Sequence, residues 1–233
     1  AHAYEVGSGV TIQAYAGICG VENIASNSID RFHVESLDEM TAFLTSGGGD
    51  TCGTKAATGN TPPTISAGND YTIPAQTPFK LTATGSDANS DTLTYAWEEF
   101  DLGTGSTDAA TATTDDGSVP LFRPYAESSS PIRTFPSGTY ILNNANTPPT
   151  TYACSVGTCI TGETLPTTSR TMTFQVTARD NRSGGGAIAT DLMTVTTVAA
   201  AGPFQITSQN TATGATGNTA ITVTWNVAGT TAA

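Results

Sequence analysis

The sequence predicts a mostly β protein: a β-sandwich, preceded by a small helix-containing region and followed by part of a further β-module. Three observations carry this. Short β-branched and aromatic runs, "YTIPAQ", "FKLTATGS", "LTYAWEEF", "RTMTFQVTARD" and "DLMTVTTVA", recur between Gly, Asn, Asp and Pro. Trp97 alternates with Tyr95 and Leu93, so a strand there puts all three on one face, with Trp97 and Tyr95 in the core of an immunoglobulin-like sandwich. Helical periodicity is convincing in one stretch only, "SIDRFHVESLDEMTAFLTSGGG".

Residues 1–53 form the first region. In its helix, Ser36 is placed to cap, with Glu39 three residues on completing a capping box. Leu37, Met40, Phe43 and Leu44 share a face, and Gly47 ends the run. The linker "TKAATGNTPPT" (54–64) follows, extended by Pro62 and Pro63. Residues 65–200 hold the sandwich, interrupted by an insertion at 103–169 in which "PLFRPY", "SPIRTFP" and "TYILNN" read as islands of order. The expectation there is an elaborated loop or edge hairpin. Residues 201–233 begin another module, because the strands in "AGPFQITSQN" and "AITVTWNVAGT" cannot bury their alternating apolar face alone.

Composition narrows the function classes. The net charge is −12, with 8 Lys and Arg against 20 Asp and Glu, which argues against a grip on nucleic acid or an anionic membrane. No run approaches the roughly 20 apolar residues of a membrane helix. The start, "AHAYEVGSG", has neither a basic-then-apolar signal segment nor a Met, so a processed product or an excised fragment is expected. The Thr/Ser/Gly/Asn-rich acidic composition fits an extracellular or cell-surface module.

Four cysteines permit three pairings. Because the two halves look separate, Cys19–Cys52 and Cys154–Cys159 is the economical choice, with zinc binding as the rival; neither pair has the C-x-x-C spacing of a zinc knuckle. In "SDANSDTLTYAWE", Asp87, Asn89, Asp91 and Glu98 fall at positions 1, 3, 5 and 12 of an EF-hand loop. Thr92 stands where that loop needs Gly, and a strand over 93–98 carries Glu98 away from the turn. A solvated turn, or a weak calcium site on Asp87 and Asp91, is what remains. Asn181 opens an N-x-S sequon. Tyr125 and Tyr140 form no planar cluster that would support sugar binding.

Three blocks in order carry a family resemblance. "YEVGSGVTIQAYAGICG" with "DRFHVESLDEM" resembles the end of the catalytic domain of secreted bacterial reprolysin-like zinc metalloproteases, where "GSGSTIMAYAGICG" follows the zinc-binding helix and supplies the Met-turn. "TPPTISAGNDYTIPAQTPFKLTATGSDANSDTLTYAWEE" and "RTMTFQVTARDNRSGGG" resemble the PKD-type, immunoglobulin-like module that follows, and "GPFQITSQNTATG" with "VTWNVAGT" the opening of the next. The resemblance implies a zinc-dependent parent protease and an upstream protease domain as partner. Two departures matter: Gln13 stands at the Met-turn position, and there is no H-E-x-x-H, since His2 and His33 cannot face zinc from adjacent turns of one helix. His33 reads as a packed or hydrogen-bonded histidine beside Phe32. No G-x-S-x-G elbow occurs either. The chain is therefore expected to be inactive by itself, with no cofactor beyond a calcium ion. It would space, anchor or present a protease, with two alternatives: a filament subunit that adds strands to neighbouring copies of itself, or an adhesion module.

Overall fold

The computed structural model describes residues 2–103, 111–143, 145–209, 211 and 214–230; the 104–110 part of the expected insertion and 231–233 of the expected last module lie outside them. In chain order the elements are α1 (Val34–Thr45), β1 (Thr64–Ser66), β2 (Tyr71–Pro74), β3 (Phe79–Thr82), β4 (Thr84–Ser86) and β5 (Thr94–Glu99). They continue with β6 (Ile132–Phe135), α2 (Gly138–Leu142), β7 (Thr151–Cys154), β8 (Gly157–Ile160), β9 (Thr171–Arg179), β10 (Ile188–Val198), β11 (Gln205–Ile206) and β12 (Trp225–Asn226). The protein is mostly β, and among the described residues no helix is long and apolar enough to cross a membrane.

The largest sheet has the order β2-β10-β9-β5, with β2 parallel to β10 and the other neighbours antiparallel. Its long strands are the predicted β-branched runs. Across from it, β3 pairs with β6, while β1 pairs with β4 just after β3. Between the layers lie Leu81, Ala83 and Phe135 from one side and Trp97, Met172, Phe174, Val176, Met193 and Val195 from the other. Phe135 is the hub, its ring centroid 4.8 Å from Phe79, 4.9 Å from Phe174 and 5.0 Å from Phe122. Burying each such ring contributes roughly 2–3 kcal/mol. Trp97 is buried and donates its indole N–H to Pro131 O at 3.1 Å. Tyr95 is half-buried and lies against Gly85, where a Cβ would come within 3.0 Å of its ring.

Several expectations are corrected. Thr64, assigned to the linker, already belongs to β1. The helix starts at Val34, and its cap is His33 rather than Ser36: the His33 Nδ1 accepts the Glu35 N–H. Of the predicted apolar stripe, Leu37 is buried but Phe43 and Leu44 are more than half exposed, because only the first turns of α1 meet the β-body. The insertion is no appendage. Its β6 completes the second layer, and its β7–β8 hairpin is closed by the Cys154–Cys159 disulfide. Cys19 and Cys52, expected to be bridged, are both free thiols.

The two halves are not separate. Val6, Val10 and Ile24 of the first region pack with Ala112 and Ile160 of the insertion in a second apolar cluster. The Ile24 carbonyl accepts from Arg123 at 2.7 Å and from the Tyr152 hydroxyl at 2.9 Å, and the Ile160 N–H donates to Asn23 O.

Candidate functional site

Among the described residues, two places bring together side chains able to hold a metal ion. The first is a carboxylate cluster at the end of the sandwich. The turn before β5 carries Asp87 and Asp91. The Thr94↔Arg179 pairing of β5 with β9 brings the residue after β9, Asp180, to the same end. Oxygens of Asp87, Asp91 and Asp180 lie within 4.8 Å of one another. From the linker, Asn60 reaches in and donates its amide to Asp180 Oδ2 at 2.5 Å and to Gly185 O at 2.9 Å.

The hydrogen bonds are incomplete in an informative way. Asp87 Oδ1 accepts the N–H groups of Asn89 and Asp91, which shapes the turn, but Asp87 Oδ2 is buried without a partner. Asn60 Oδ1 is buried and unpartnered too. Buried oxygens normally find a donor, or a cation takes its place. The nearest positive charge, Arg182, sits 3.3 Å from Asp91 Oδ2 and is partly exposed. Burial pushes the Asp180 carboxyl up, but hydrogen bonds from Ala187, Asn60 and Arg182 outweigh it and hold it below the ordinary aspartate range. It therefore stays ionised at neutral pH. Three carboxylates are a hard, all-oxygen donor set that suits calcium, which takes six to eight oxygens, better than a nitrogen- or sulfur-seeking metal. Glu98, the EF-hand position already rejected on sequence, is remote: it is fully buried at the other side of β5 and paired with Arg31.

The second place is a cleft of about 510 Å³ between the N-terminal loop and α1, lined by Tyr4, Glu5, Gln13, Tyr15, Glu35 and Glu39 among others. The loop "YEVGSGVTIQAYAG" winds around Glu5, whose carboxylate accepts from Val10 N at 2.7 Å, from Thr11 N and from the Thr11 hydroxyl. Gly17 is obligatory here, since at φ +86° a Cβ would meet Ser26 O at 2.2 Å. Gln13 stands on the cleft wall, exposed, its Oε1 accepting the Ser36 hydroxyl at 2.9 Å. His33 turns inward: Nδ1 is used by the cap and Nε2 faces Glu98 Oε1 at 3.9 Å. Burial lowers its imidazole to about 4, with Glu5 opposing and Arg31 reinforcing, so it is neutral above that. His2, Glu35 and Glu39 converge at the rim, mostly exposed, with His2 Nδ1 3.5 Å from Glu39. Burial and the negative charges of Glu39 and Asp38 push Glu35 above the usual carboxylate range.

Of the predicted site residues, Asp87 and Asp91 come together, Gln13 faces the cleft, and Cys19 and Cys52 stay apart from any bridge. Sequence reasoning missed Asp180 and Asn60. The signal that would have found them is register: once β5 and β9 are paired, "RDN" must land beside "SDANSD". The chain matches no known protein-family model, no curated protein and no solved structure.

Proposed function

We propose that this is a non-catalytic extracellular accessory region of reprolysin-like metalloprotease lineage, in which an immunoglobulin-like, PKD-type sandwich holds and spaces the N-terminal cleft while a calcium ion pins the linker between them. The observation that carries it is the convergence of Asp87, Asp91 and Asp180, with the linker's Asn60 bonded to Asp180 and the Asp87 Oδ2 buried without a partner. A cation there ties linker, turn and strand end into one unit, which is what a rigid spacer requires. The strand connectivity supports the immunoglobulin-like reading: β1 pairs antiparallel within one layer, and β2 crosses to run parallel to β10 in the other. The inward-facing nitrogens of His33 support the non-catalytic one, because an open zinc site needs about three ligands and a base.

Calorimetric titration of the metal-free chain with calcium chloride tests this. A single binding event is expected, with a higher melting temperature and slower protease cleavage within 54–63. At a hundredfold excess over the dissociation constant the stabilisation is about 2.7 kcal/mol. Asp91→Asn, which disturbs only a partly exposed ion pair, should weaken the binding. No heat and no thermal shift would remove calcium from the proposal. Stoichiometric zinc with peptide-bond cleavage by the purified chain would remove the rest.

A further inference from the structure

Tyr125, which sequence spacing leaves without an aromatic cluster, finds aromatic company in the fold. With Tyr95 and Trp97 it lines an open cavity of about 220 Å³ between β5 and β6. The strap at 126–131 is bonded to the free edge of β5, Tyr95 N donating to Ser128 O at 2.7 Å and Ser128 N to Tyr95 O at 2.9 Å. Arg133 on β6 is held just as firmly: its Nη1 donates to Trp97 O at 2.5 Å, and its Nη2 to Arg123 O at 2.7 Å and to Glu163 Oε1 at 3.1 Å. Its guanidinium lies 5.0 Å from the Tyr125 ring centroid and 4.3 Å from that of Phe135. The walls are therefore set before anything enters, which spares a ligand the cost of ordering them.

What the lining leaves unused decides what fits it. The hydroxyls of Tyr125, Thr134 and Ser137 hold no hydrogen bond to any described residue. Burial, reinforced by the Glu163 charge and opposed by Arg123 and Arg133, pushes the Tyr125 hydroxyl above the ordinary tyrosine value, so it keeps its proton and can both donate and accept. Tyr95 and Ile132 add apolar surface. A cationic ligand is repelled by Arg133 and by Arg123 beside Tyr125. A carboxylate or phosphate finds the Arg133 Nη atoms already committed to three oxygens, in a chain of net charge −12. An apolar ligand leaves the hydroxyls unpaired. A neutral ring with hydroxyls on its rim and C–H bonds on its faces matches both kinds of wall. The volume falls below the roughly 300–1,000 Å³ of pockets for drug-sized ligands, which suits one such ring. We propose that the cavity between β5 and β6 binds a single neutral pyranose unit, with the hydroxyls of Tyr125, Thr134 and Ser137 bonded to those of the sugar. The proposal depends neither on the calcium site nor on any protease lineage.

Amide-resolved NMR titration of the whole chain with the methyl glycosides of glucose, galactose, mannose, xylose and N-acetylglucosamine tests it. At least one should shift the amides of Tyr125, Thr134 and Ser137 saturably, with the millimolar dissociation constant expected of one small ring. Ser137→Ala and Thr134→Val each remove a hydroxyl that no described residue uses, so the melting temperature should hold while the affinity falls several-fold. Tyr125→Phe should act in the same direction. Tyr71→Phe, on β2 at the opposite edge of the main sheet, should bind as the parent chain does. No saturable shift with any of the five glycosides overturns the proposal. So does binding that survives all three cavity substitutions, or a response confined to amides elsewhere in the chain.

Discussion

Glu98 and Glu99 are adjacent on β5, point to opposite faces, and are both almost completely buried. "WEEF" does not announce this, since a strand with one wet face would expose one of the two. Both faces of β5 are covered because the first region packs on one and the insertion on the other. Glu98 accepts from Arg31 at 2.7 Å and from Val34 N. Glu99 accepts from Leu121 N at 2.6 Å and Phe122 N at 2.8 Å. Burial and the neighbouring Asp101 charge push the Glu99 carboxyl up to about 8, against the pull of Arg170. The native state then holds a proton that the unfolded chain releases near the usual glutamate value, so stability falls as pH rises from that value through about 8. His33, lowered to about 4, acts in the opposite sense, but only below the ordinary histidine value of about 6.5. Between pH 6.5 and 8 the Glu99 effect is therefore unopposed by His33, at up to about 1.4 kcal/mol per pH unit. Urea midpoints should fall across that window. Glu99→Gln keeps the carbonyl that accepts the two N–H groups and cannot ionise, so its midpoint should change much less; an equal slope in the variant would show that another group is responsible.

At the level of elements, the five β-branched runs chosen from sequence correspond to β2, β3 with β4, β5, β9 and β10. What periodicity could not tell is where a partner stands. The α1 stripe was visible, yet Phe43 and Leu44 stay more than half exposed, the Phe43 ring lying over Gly48 and Gly49 of its own C-terminal turn. Conversely, "SPIRTFP" reads as an island of order inside an elaborated loop or edge hairpin, and its flanking prolines hide that it holds β6, the strand that pairs with β3 in the second layer. The segment joining that layer to β9 depends on one carboxylate. Asp115 accepts from Gly117 N, Thr167 N, Thr168 N, the Thr168 hydroxyl and Arg170 Nη1, all between 2.7 and 3.1 Å. Burial pushes this carboxyl up, but the Thr168, Gly117 and Thr167 donors outweigh it and hold it below the ordinary range. Asp115→Asn replaces an acceptor oxygen with a donor and leaves Arg170 without this counter-ion. The expected loss is about 2–4 kcal/mol in chemical denaturation, and it should shrink as pH falls from the ordinary aspartate range and vanish only below the lowered native value, where the folded wild-type carboxyl is protonated as well.

Across the whole molecule, the first region and the sandwich are joined through Arg31, an arrangement invisible in sequence because its partners are 67 and 94 residues away. Arg31 donates to Glu98 and to Tyr125 O at 3.0 Å, and its side chain is 3% exposed against 0% for Glu98. Burial pushes the Glu98 carboxyl up, and Arg31 is the largest influence opposing it. Arg31→Ala strands that carboxylate, at a cost of about 3–5 kcal/mol for a buried pair broken on one side. The loss should fall mainly on the docking of residues 1–53, read as faster hydrogen exchange at Ile24 and α1 and earlier proteolysis in the linker than in β9 or β10. Because the orphaned Glu98 can take up a proton, the penalty should shrink as pH is lowered toward the ordinary carboxylate range. Replacing both residues, Arg31→Met with Glu98→Met, removes the two desolvation penalties together and should recover much of the loss. If the double variant is instead as unstable as the sum of the singles, the pair is not coupled, and the apolar cluster around Ile24 together with the hydrogen bonds to its carbonyl holds the first region in place.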